Sequence, residues 1–553
     1  MMRDRLQNKA TLWVLGWVIA VGFGAFAISG GLQHFHITYR GEVRFLAVVL
    51  STIPAIWVFV SLASIIARPI AAAVVLFAVY VLSEIHKIKY TSTSEPLLWS
   101  DITTLNNAGI VLHYVTPAHL LSVIVFFLAF LLLAWISRAR LFRISRPDLM
   151  VGILLFPLVF HPSISRTAEV VGNPITGLLA TAGVEYRDWD WSSNVKHNGL
   201  LWHLVQTSQR QLPAKPTSEQ ARQYQALIAR EGSAPAVDEV ILIFCEACWH
   251  KDYHFVDNFE PLLGRGFQEF RAIAPTYGGG TVNGAFELIT GLPANGALNG
   301  VIYQEYADDI RADAHTLPAA LVENGFAAIS AHNNRASFWR RDEVLPKLGF
   351  ERFIGLEDMA ERHSGWTRDY VLYDTALSVR AEILGPKFFF LTTVYSHGPY
   401  TINDDLGEQD YAYKLRTSIK DLVAFTDAVL ADNPDALILV IGDHKPALNE
   451  YFSRHNILSR SMMAGLVRDQ AVLGDVPVYI YHSDNARVAA MTEMAEGASF
   501  FCLANALNDL FLGAVVPAFE FSADYNLCSQ SSDQRYESLT QEYPGWLYHS
   551  ILF

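Results

Sequence analysis

Val240-Ile241-Leu242-Ile243-Phe244 is a short, uninterrupted apolar run. It predicts a strand buried on both faces, because such a strand needs no alternation with polar residues. Similar runs recur at residues 327–330, 388–394, 437–441 and 476–481, with helix-compatible stretches between them. Strands that alternate with helices predict an α/β sheet, in which ligands bind at the carboxyl ends of the strands.

Polar side chains follow four of these runs. Glu246, His332 and His397 come after three of them, and the pair Asp443-His444 comes after the fourth. Each residue alone is more often an ordinary loop residue or turn. Their joint position at strand ends favours a site, and carboxylate and imidazole groups are ligands for Zn²⁺ or Mn²⁺.

A glycine-rich stretch, Gly278-Gly279-Gly280-Thr281, precedes an apolar, helix-compatible run. The glycines let backbone approach a bulky ligand, and a helix start favours an anion. Taken alone, the stretch indicates only a loop and a helix capped by threonine. A metal ion nearby would activate the threonine hydroxyl to attack phosphorus. We therefore predict Glu246, Asp443 and His444 as metal ligands, with Thr281 as nucleophile and fourth ligand.

The first third of the chain holds long uncharged runs, at residues 11–32, 45–67 and 120–137. Each approaches the length of about 20 residues that crosses a bilayer. Two shorter runs, 69–85 and 149–160, complete five predicted crossings, although a buried or interfacial helix is the alternative for both. Arginine and lysine residues alternate between loops as the positive-inside rule prefers, which places everything after about residue 165 outside the cytoplasm.

We therefore expect a membrane domain of about five helices at residues 1–165, a juxtamembrane connector at 166–236, and an extracytoplasmic α/β domain at 237–553. In the connector, residues 198–205 could lie on the bilayer as an amphipathic helix, although Trp202 suits a protein core equally well. The loop at residues 95–102 is expected to be a surface turn or a docking platform for the later domain.

Charge and cysteine content narrow the function. The 553-residue chain carries a net charge of −14 at pH 7, so it has no overall basic surface for nucleic acid. Its four cysteines are too few for a disulfide-built fold. Cys245 and Cys248 flank Glu246; they could form a local disulfide, bind an ion, or be small buried residues, and we favour the last. Cys502 and Cys528 could pair in an oxidising compartment.

These residues resemble the lipoteichoic acid synthase family, a membrane branch of the alkaline phosphatase/sulfatase superfamily. The most specific passage runs from His332-Asn333-Asn334 to Phe338-Trp339-Arg340-Arg341 and is similar to the family's His-x-Asn-Asn…Phe-Trp-x-Arg segment. The resemblance implies an alkaline phosphatase/sulfatase-like fold for the second domain. It also implies that His332, Trp339 and Arg341 bind a phosphoglycerol headgroup, and that His397 contacts substrate or assists proton transfer.

The same resemblance implies one divalent metal, usually Mn²⁺ with Zn²⁺ or Mg²⁺ as alternatives. Its ligands would be Glu246, Thr281, Asp443 and His444. In the family, the threonine takes phosphoglycerol from phosphatidylglycerol, releases diacylglycerol and passes the group to an acceptor hydroxyl. This implies a multi-pass protein of the bacterial cytoplasmic (inner) membrane with a phospholipid donor and a glycan or polysaccharide acceptor. No nucleic acid partner is expected.

Two departures from the family pattern keep other functions open. Ala247 stands where the family has serine, and Leu448 stands where the family has a headgroup-binding serine. A phosphoethanolamine transferase on the same fold is therefore one alternative. A non-catalytic membrane scaffold for polysaccharide assembly is another. A sulfatase is disfavoured, because neither Cys245 nor Cys248 begins the Cys-x-Pro-x-Arg motif that sulfatases need.

Overall fold

The computed structural model of the chain describes residues 2–29, 50–93, 96–103, 115–137, 144–159, 194–195, 198–208, 212–213, 215–294, 298, 300–363, 365–400, 407–459, 462, 469–528 and 547–552. Residues 160–193, where the predicted connector begins, and the basic stretch 138–143 lie outside these ranges.

The chain divides into two compact units near residue 211. The first comprises residues 1–91 and 95–211, and the second comprises residues 92–94 and 212–553. The segment expected to be a connector is thus shared. Helix Leu200–Thr207 belongs to the first unit, and helix Ser218–Ile228 belongs to the second.

The described ranges of the N-terminal unit are mainly helical, and a helix overlaps each predicted apolar run. Its helices are α1 (Met2–Ile28), α2 (Ile53–Ala63), α3 (Arg68–Thr93), α4 (Trp99–Thr103), α5 (Pro117–Ser137), α6 (Arg146–Val159) and α7 (Leu200–Thr207). A buried ion pair between Arg68 and Asp148, 2.8 Å from Nη2 to Oδ2, joins α3 to α6.

One helix in the described ranges is long and apolar enough to cross a membrane, namely Arg68–Tyr90 within α3. Two helical segments that meet at a bend, Phe500–Leu512 and Pro517–Asp524, are together also long and apolar enough to cross a membrane. Their apolar side chains, however, lie in the core of the second unit. The apolar stretches Val14–Ile28, Ile53–Ala63 and Pro117–Leu132 are shorter. Five crossings therefore remain a prediction.

Two expectations for the first unit are settled by burial. Trp202 on α7 is completely buried with Ile53 and Val159, so it packs in a core and not at an interface. The loop before α4 is not a free surface turn either. Leu97 and Leu98 are buried, and the Trp99 backbone N–H donates to Thr207 Oγ1 at 3.2 Å. This stretch packs on α7 of its own unit.

The second unit is built on a mixed sheet of eight strands in the order β4-β3-β5-β1-β6-β7-β2-β8. The strands are β1 (Glu239–Cys245), β2 (Gln268–Ile273), β3 (Ala327–His332), β4 (Arg352–Ile354), β5 (Lys387–Thr392), β6 (Leu437–Gly442), β7 (Asp475–Tyr481) and β8 (Ala498–Ser499). Strands β4, β3, β5, β1 and β6 are parallel, whereas β7 runs antiparallel to both of its neighbours. The five predicted strands are confirmed.

Helices cover both faces of this sheet, as the uninterrupted apolar strands predict. Val240, Leu242 and Phe244 of β1 enter one hydrophobic cluster, and Ile241 and Ile243 enter the other. The helices are α8 (Ser218–Ile228), α9 (Glu260–Leu263), α10 (Thr281–Thr290), α11 (Ile302–Tyr306), α12 (Leu317–Glu323), α13 (Arg341–Lys347), α14 (Asp369–Glu382), α15 (Glu408–Asp432), α16 (Asn449–Arg454), α17 (Gln470–Leu473), α18 (Asn485–Ala495), α19 (Phe500–Leu507) and α20 (Pro517–Asp524).

All four cysteines form disulfides, Cys245 with Cys248 and Cys502 with Cys528. The interpretation of Cys245 and Cys248 as merely small buried residues is therefore wrong, although both are buried. Their bridge closes directly around Glu246, because the pair spans the turn that leaves β1. The second bridge, between Cys502 and Cys528, matches the pairing considered from the sequence.

Candidate active site

The carboxyl ends of four adjacent parallel strands gather the predicted polar residues. Because β3, β5, β1 and β6 are neighbours, their ends share one rim of the sheet. Glu246 follows β1, Asp443 follows β6, and His332 is the last residue of β3. His397 lies five residues beyond the end of β5, and helix α10 brings Thr281 to the same rim.

Thr281 does not cap its helix. Gly280 occupies the N-cap position in the left-handed region, with φ 79°, and Thr281 is the first helical residue. Its hydroxyl instead donates to Asp443 Oδ2 at 2.8 Å. The capping role expected from the sequence is therefore wrong, and the correction leaves the hydroxyl available for chemistry.

Asp443 is completely buried and is fixed by three donors. Its Oδ2 accepts from Thr281, and its Oδ1 accepts from the backbone N–H groups of Ala247 at 2.7 Å and His444 at 2.8 Å. Ala247 has a left-handed backbone, with φ 49°. The peptide group of Ala247 therefore holds the neighbouring carboxylate.

His444 turns one ring nitrogen toward the carboxylates. Its Nδ1 lies 2.9 Å from the Lys445 carbonyl, which engages this nitrogen and leaves Nε2 facing the carboxylates. The Nε2 atom lies 3.2 Å from Asp443 Oδ2, 3.7 Å from Glu246 Oε1 and 3.5 Å from Thr281 Oγ1. The Lys445 carbonyl also accepts from the Gly278 backbone N–H at 3.2 Å, which links the glycine-rich loop to this histidine.

The donor set fits a divalent cation. One ligand atom from each of Glu246, Asp443 and His444 lies within 4.8 Å of the others, and all three residues are buried. Burial, and then the charge of Asp443, raises the pKa of Glu246 well above its ordinary value; burial also raises the pKa of Asp443. The two buried carboxylates of Glu246 and Asp443 repel each other when both are ionised. A cation between them would replace that repulsion with attraction.

Arg341 supplies a buried positive charge on the other side of Thr281. Its side chain lies over the rings of Phe338 and Trp339, at 5.3 and 5.1 Å, and Nη1 donates to the Phe338 carbonyl at 3.3 Å. Within the described ranges no carboxylate forms an ion pair with it, and burial lowers its pKa to about 10. A buried guanidinium without an ion pair favours an anionic ligand.

His332 is neutral in this setting. Its Nδ1 lies 2.9 Å from the Thr392 carbonyl, and burial together with the nearby charge of Arg341 lowers its pKa well below the ordinary value. With Nδ1 engaged by a carbonyl acceptor, Nε2 is the nitrogen left for a ligand.

The segment before Arg341 is strained. Trp339 and Arg340 both have left-handed backbones, with φ 56° and 54°, which non-glycine residues seldom adopt. Ion pairs of Arg340 with Asp308 at 2.5 Å and Glu343 at 2.6 Å hold this conformation. Strain of this kind concentrates at functional sites.

A pocket opens between Thr281 and Arg341. Its lining consists of Thr281, Ala285, Tyr303, Ser330, His332, Arg341, Leu345, Phe353, Phe390 and Thr392. No aspartate or glutamate occurs among these described lining residues. Tyr303 was not singled out from the sequence, because it belongs to none of the recognised motifs and follows no predicted strand.

Three other residues of interest do not line this pocket. His397 lies half-buried, with Nδ1 2.8 Å from the Gly398 carbonyl and its ring 4.5 Å from that of Trp366. Trp339 packs beside Arg341, stacked on Phe338 at 4.4 Å. Leu448 is buried in the hydrophobic cluster on the opposite face of the sheet.

Comparison with known proteins places this site in a family context. The Sulfatase family model matches residues 240–486. A Rhizobium meliloti (strain 1021) protein named for cyclic β-1,2-glucan modification is 26% identical over 297 residues, which cover 48% of this chain and 45% of that protein. The match therefore spans about half of that relative's length.

Two solved structures are similar to this chain at low sequence identity. The integral membrane protein lipooligosaccharide phosphoethanolamine transferase A (EptA) from Neisseria meningitidis is 14% identical with a TM-score of 0.52, over 91% of this chain and 94% of that one. The Streptococcus pyogenes phosphoglycerol transferase GacH, in complex with sn-glycerol-1-phosphate, is 18% identical with a TM-score of 0.45, over 62% of this chain and 96% of that one.

Proposed function

We propose that this chain, whose residues 240–486 match the Sulfatase family model, is a membrane-bound, metal-dependent phosphotransferase. It moves phosphoglycerol from phosphatidylglycerol to an extracytoplasmic glycan through a covalent intermediate on Thr281. One observation carries the proposal. Thr281 belongs both to the carboxylate–histidine set and to the pocket of Arg341, so a phosphate held by Arg341 adjoins the hydroxyl.

The metal-binding residues would be Glu246, Thr281, Asp443 and His444, and Mn²⁺ is the ion that the family resemblance favours. When bound, such an ion lowers the pKa of a ligating hydroxyl and offsets charge on the transferring phosphoryl group. Asp443 Oδ2 already accepts a hydrogen bond from the Thr281 hydroxyl.

The transfer takes two steps. Thr281 Oγ1 attacks the phosphorus of phosphatidylglycerol, the bond from phosphorus to the diacylglycerol oxygen breaks, and diacylglycerol leaves with a proton. The acceptor hydroxyl then attacks the phosphoglyceryl ester, loses its proton and releases Thr281. Arg341 and His332 bind the phosphoryl oxygens, while Trp339 supports Arg341. His397 contacts the phosphate or carries the proton between the leaving and the attacking hydroxyl.

Charge in the pocket favours glycerol over ethanolamine as the headgroup. A glycerol unit is uncharged, whereas the ammonium of ethanolamine would be placed near Arg341 without a carboxylate in the described pocket lining. Phosphoethanolamine is the second candidate. Leu448 offers no hydroxyl to glycerol, and the fold similarity to the Neisseria meningitidis phosphoethanolamine transferase extends over both units.

The N-terminal unit would anchor the enzyme in the bacterial cytoplasmic membrane with five crossings, leaving the catalytic unit outside the cytoplasm. The apolar helices and the fold similarity to an integral membrane protein over 91% of the chain support this arrangement. A glycan acceptor agrees with the relative named for cyclic β-1,2-glucan modification.

Intact mass spectrometry of the full chain tests the proposal. With Mn²⁺ and phosphatidylglycerol vesicles, the protein should gain the mass of one phosphoglycerol group and release diacylglycerol. Thr281→Ala should gain nothing, whereas Thr281→Ser, which keeps a hydroxyl, should retain the adduct. Full transfer activity in Thr281→Ala would refute the mechanism. An adduct formed only with phosphatidylethanolamine vesicles would establish the second candidate.

A further inference from the structure

Tyr303 carries a buried hydroxyl for which the described part of the chain offers no acceptor. Its side chain is 1% exposed, and Oη has no hydrogen-bond partner within the described part of the chain. Leaving a buried hydroxyl unpaired opposes folding by about 1–3 kcal/mol. Such a group calls for a partner that is not part of the polypeptide.

The phenol of Tyr303 lies near Arg341, because the charge of Arg341 acts on its pKa. Tyr303 lines the pocket described above together with Thr281, His332 and Arg341. One pocket thus holds a guanidinium without an ion pair and a hydroxyl without an acceptor. Both groups are satisfied by the same kind of ligand, one that is anionic and rich in acceptor oxygens.

The backbone that carries Tyr303 is tied to the helix of the nucleophile. Asn283, two residues after Thr281, donates from Nδ2 to the Gly300 carbonyl at 2.5 Å, and its Oδ1 accepts from the Ile302 backbone N–H at 3.2 Å. Helix α11 is therefore fixed against the start of α10. The Tyr303 side chain is positioned relative to Thr281 before any ligand binds.

The hydroxyl remains protonated in this environment. Burial raises the pKa of Tyr303 above its ordinary value, and the nearby charge of Arg341 opposes that rise only in part. The group is therefore a hydrogen-bond donor throughout the physiological pH range. It adds a neutral, directional donor beside the charged fork of Arg341.

We propose that Tyr303 is a further substrate-binding residue, whose hydroxyl donates a hydrogen bond to a non-bridging phosphoryl oxygen of the bound phosphate ester. The inference rests on the proposed function for the lipid donor. Its ligand chemistry, a phosphate group, is shared by the intact lipid headgroup and by free phosphate, and the two sources can be tested separately.

Tyr303→Phe removes only the hydroxyl. Tyr373→Phe is a matched control, because Tyr373 is also buried with an unpaired hydroxyl but does not line the pocket. With the full Mn²⁺-loaded chain, inorganic phosphate affinity is measured by calorimetry, and kcat/KM is measured with phosphatidylglycerol vesicles. Because Tyr303→Phe loses a hydrogen bond to a charged group, we expect its phosphate affinity and its kcat/KM each to fall about 10- to 100-fold. Neither quantity should change in Tyr373→Phe.

Stability and metal affinity separate this role from a structural one. Without phosphate, Tyr303→Phe should melt at or above the wild-type temperature, because an unpaired buried hydroxyl has been removed, and its Mn²⁺ affinity should be unchanged. A lower melting temperature or a weakened Mn²⁺ affinity would overturn the inference. So would wild-type phosphate affinity in Tyr303→Phe, or failure of the wild type to bind phosphate. The protein could also bind phosphate in a Tyr303-dependent way and yet not react with phosphatidylglycerol. That result would refute the proposed donor but would support this inference.

Discussion

Asn333 Nδ2 donates a hydrogen bond to Asp369 Oδ1 at 2.9 Å, and this single carboxylate oxygen joins two loops of the site. It also accepts from the backbone N–H groups of Val394 at 3.2 Å and Tyr395 at 3.1 Å. Asn333 directly follows His332, and Tyr395 shortly precedes His397. The completely buried Asp369 therefore fixes the loops that carry both histidines.

We expect Asp369→Ala to lower catalytic-unit stability by about 3 kcal/mol or more, since several buried donors lose their acceptor at once. It should also lower kcat/KM at least 10-fold while leaving Mn²⁺ affinity unchanged. Ser418→Ala removes only a hydroxyl that donates to the other Asp369 oxygen. We therefore expect it to lower the stability of the catalytic unit by about 1 kcal/mol and to change activity little. Thermal melting and the transfer assay measure both. Normal kcat/KM in Asp369→Ala would show that this carboxylate does not position the loops.

Metal binding should release protons, and more of them at lower pH. The pKa values of Glu246 and Asp443 are raised by burial, so both carboxylates hold protons at a higher pH than usual. A metal binds the deprotonated forms and must displace those protons. The apparent Mn²⁺ affinity should therefore weaken as the pH falls toward these raised pKa values. Titration calorimetry in buffers of different ionisation enthalpy, at about pH 6 and about pH 8, counts the protons. Release of the same number of protons at both pH values would contradict the raised pKa values of Glu246 and Asp443.

The two disulfides should act on different properties. Cys245–Cys248 closes a short loop around Glu246, so replacing both with serine should weaken Mn²⁺ binding. The same double replacement should lower stability by only about 2 kcal/mol, because a short closed loop restricts the unfolded chain little. Cys502–Cys528 closes a loop with a sequence separation of 26, and its removal should lower stability by about 3.5 kcal/mol with Mn²⁺ affinity preserved. Thermal melting and metal titration of the two double variants test this. Equal Mn²⁺ affinities would rule out a metal-site role for the short bridge.

Gly284 lets helix α10 lie close against strand β1. A Cβ at this position would lie 2.8 Å from Phe244 Cζ and 3.1 Å from the Phe500 ring. Gly284→Ala should therefore push α10 outward, lower stability by about 1–3 kcal/mol and reduce adduct formation at Thr281. Gly385→Ala is the control, because nothing lies within 4 Å of its Cβ. Melting temperature and adduct yield report the two effects, and a fully active Gly284→Ala would show that α10 tolerates the shift.

The sequence predicted what depends on continuous local patterns. The central strands were recognisable because both faces are buried, whereas β2 was missed because its side chains are only partly buried and it pairs antiparallel at the side of the sheet. Metal-type side chains at strand ends could be grouped because parallel strands share a rim. The unpaired hydroxyl of Tyr303 could not be foreseen, since the absence of an acceptor depends on every neighbour in the folded protein. The same holds for Thr281, whose hydroxyl turns to Asp443 and not to its own helix.

The contact between Thr281 and Asp443 joins residues 162 positions apart, and this separation has a consequence for biosynthesis. While the chain is being made, β1 emerges long before β6, the neighbour that covers one of its edges. The proposed set of metal ligands is incomplete in the nascent chain throughout that interval. A metal ion bound by that set could not help early folding, and the apolar β1 must be shielded by other means until β6 arrives. Because the proposed ligands Asp443 and His444 directly follow β6, metal binding would report that β6 has joined β1, and a chelator-sensitive signal would time that event during synthesis.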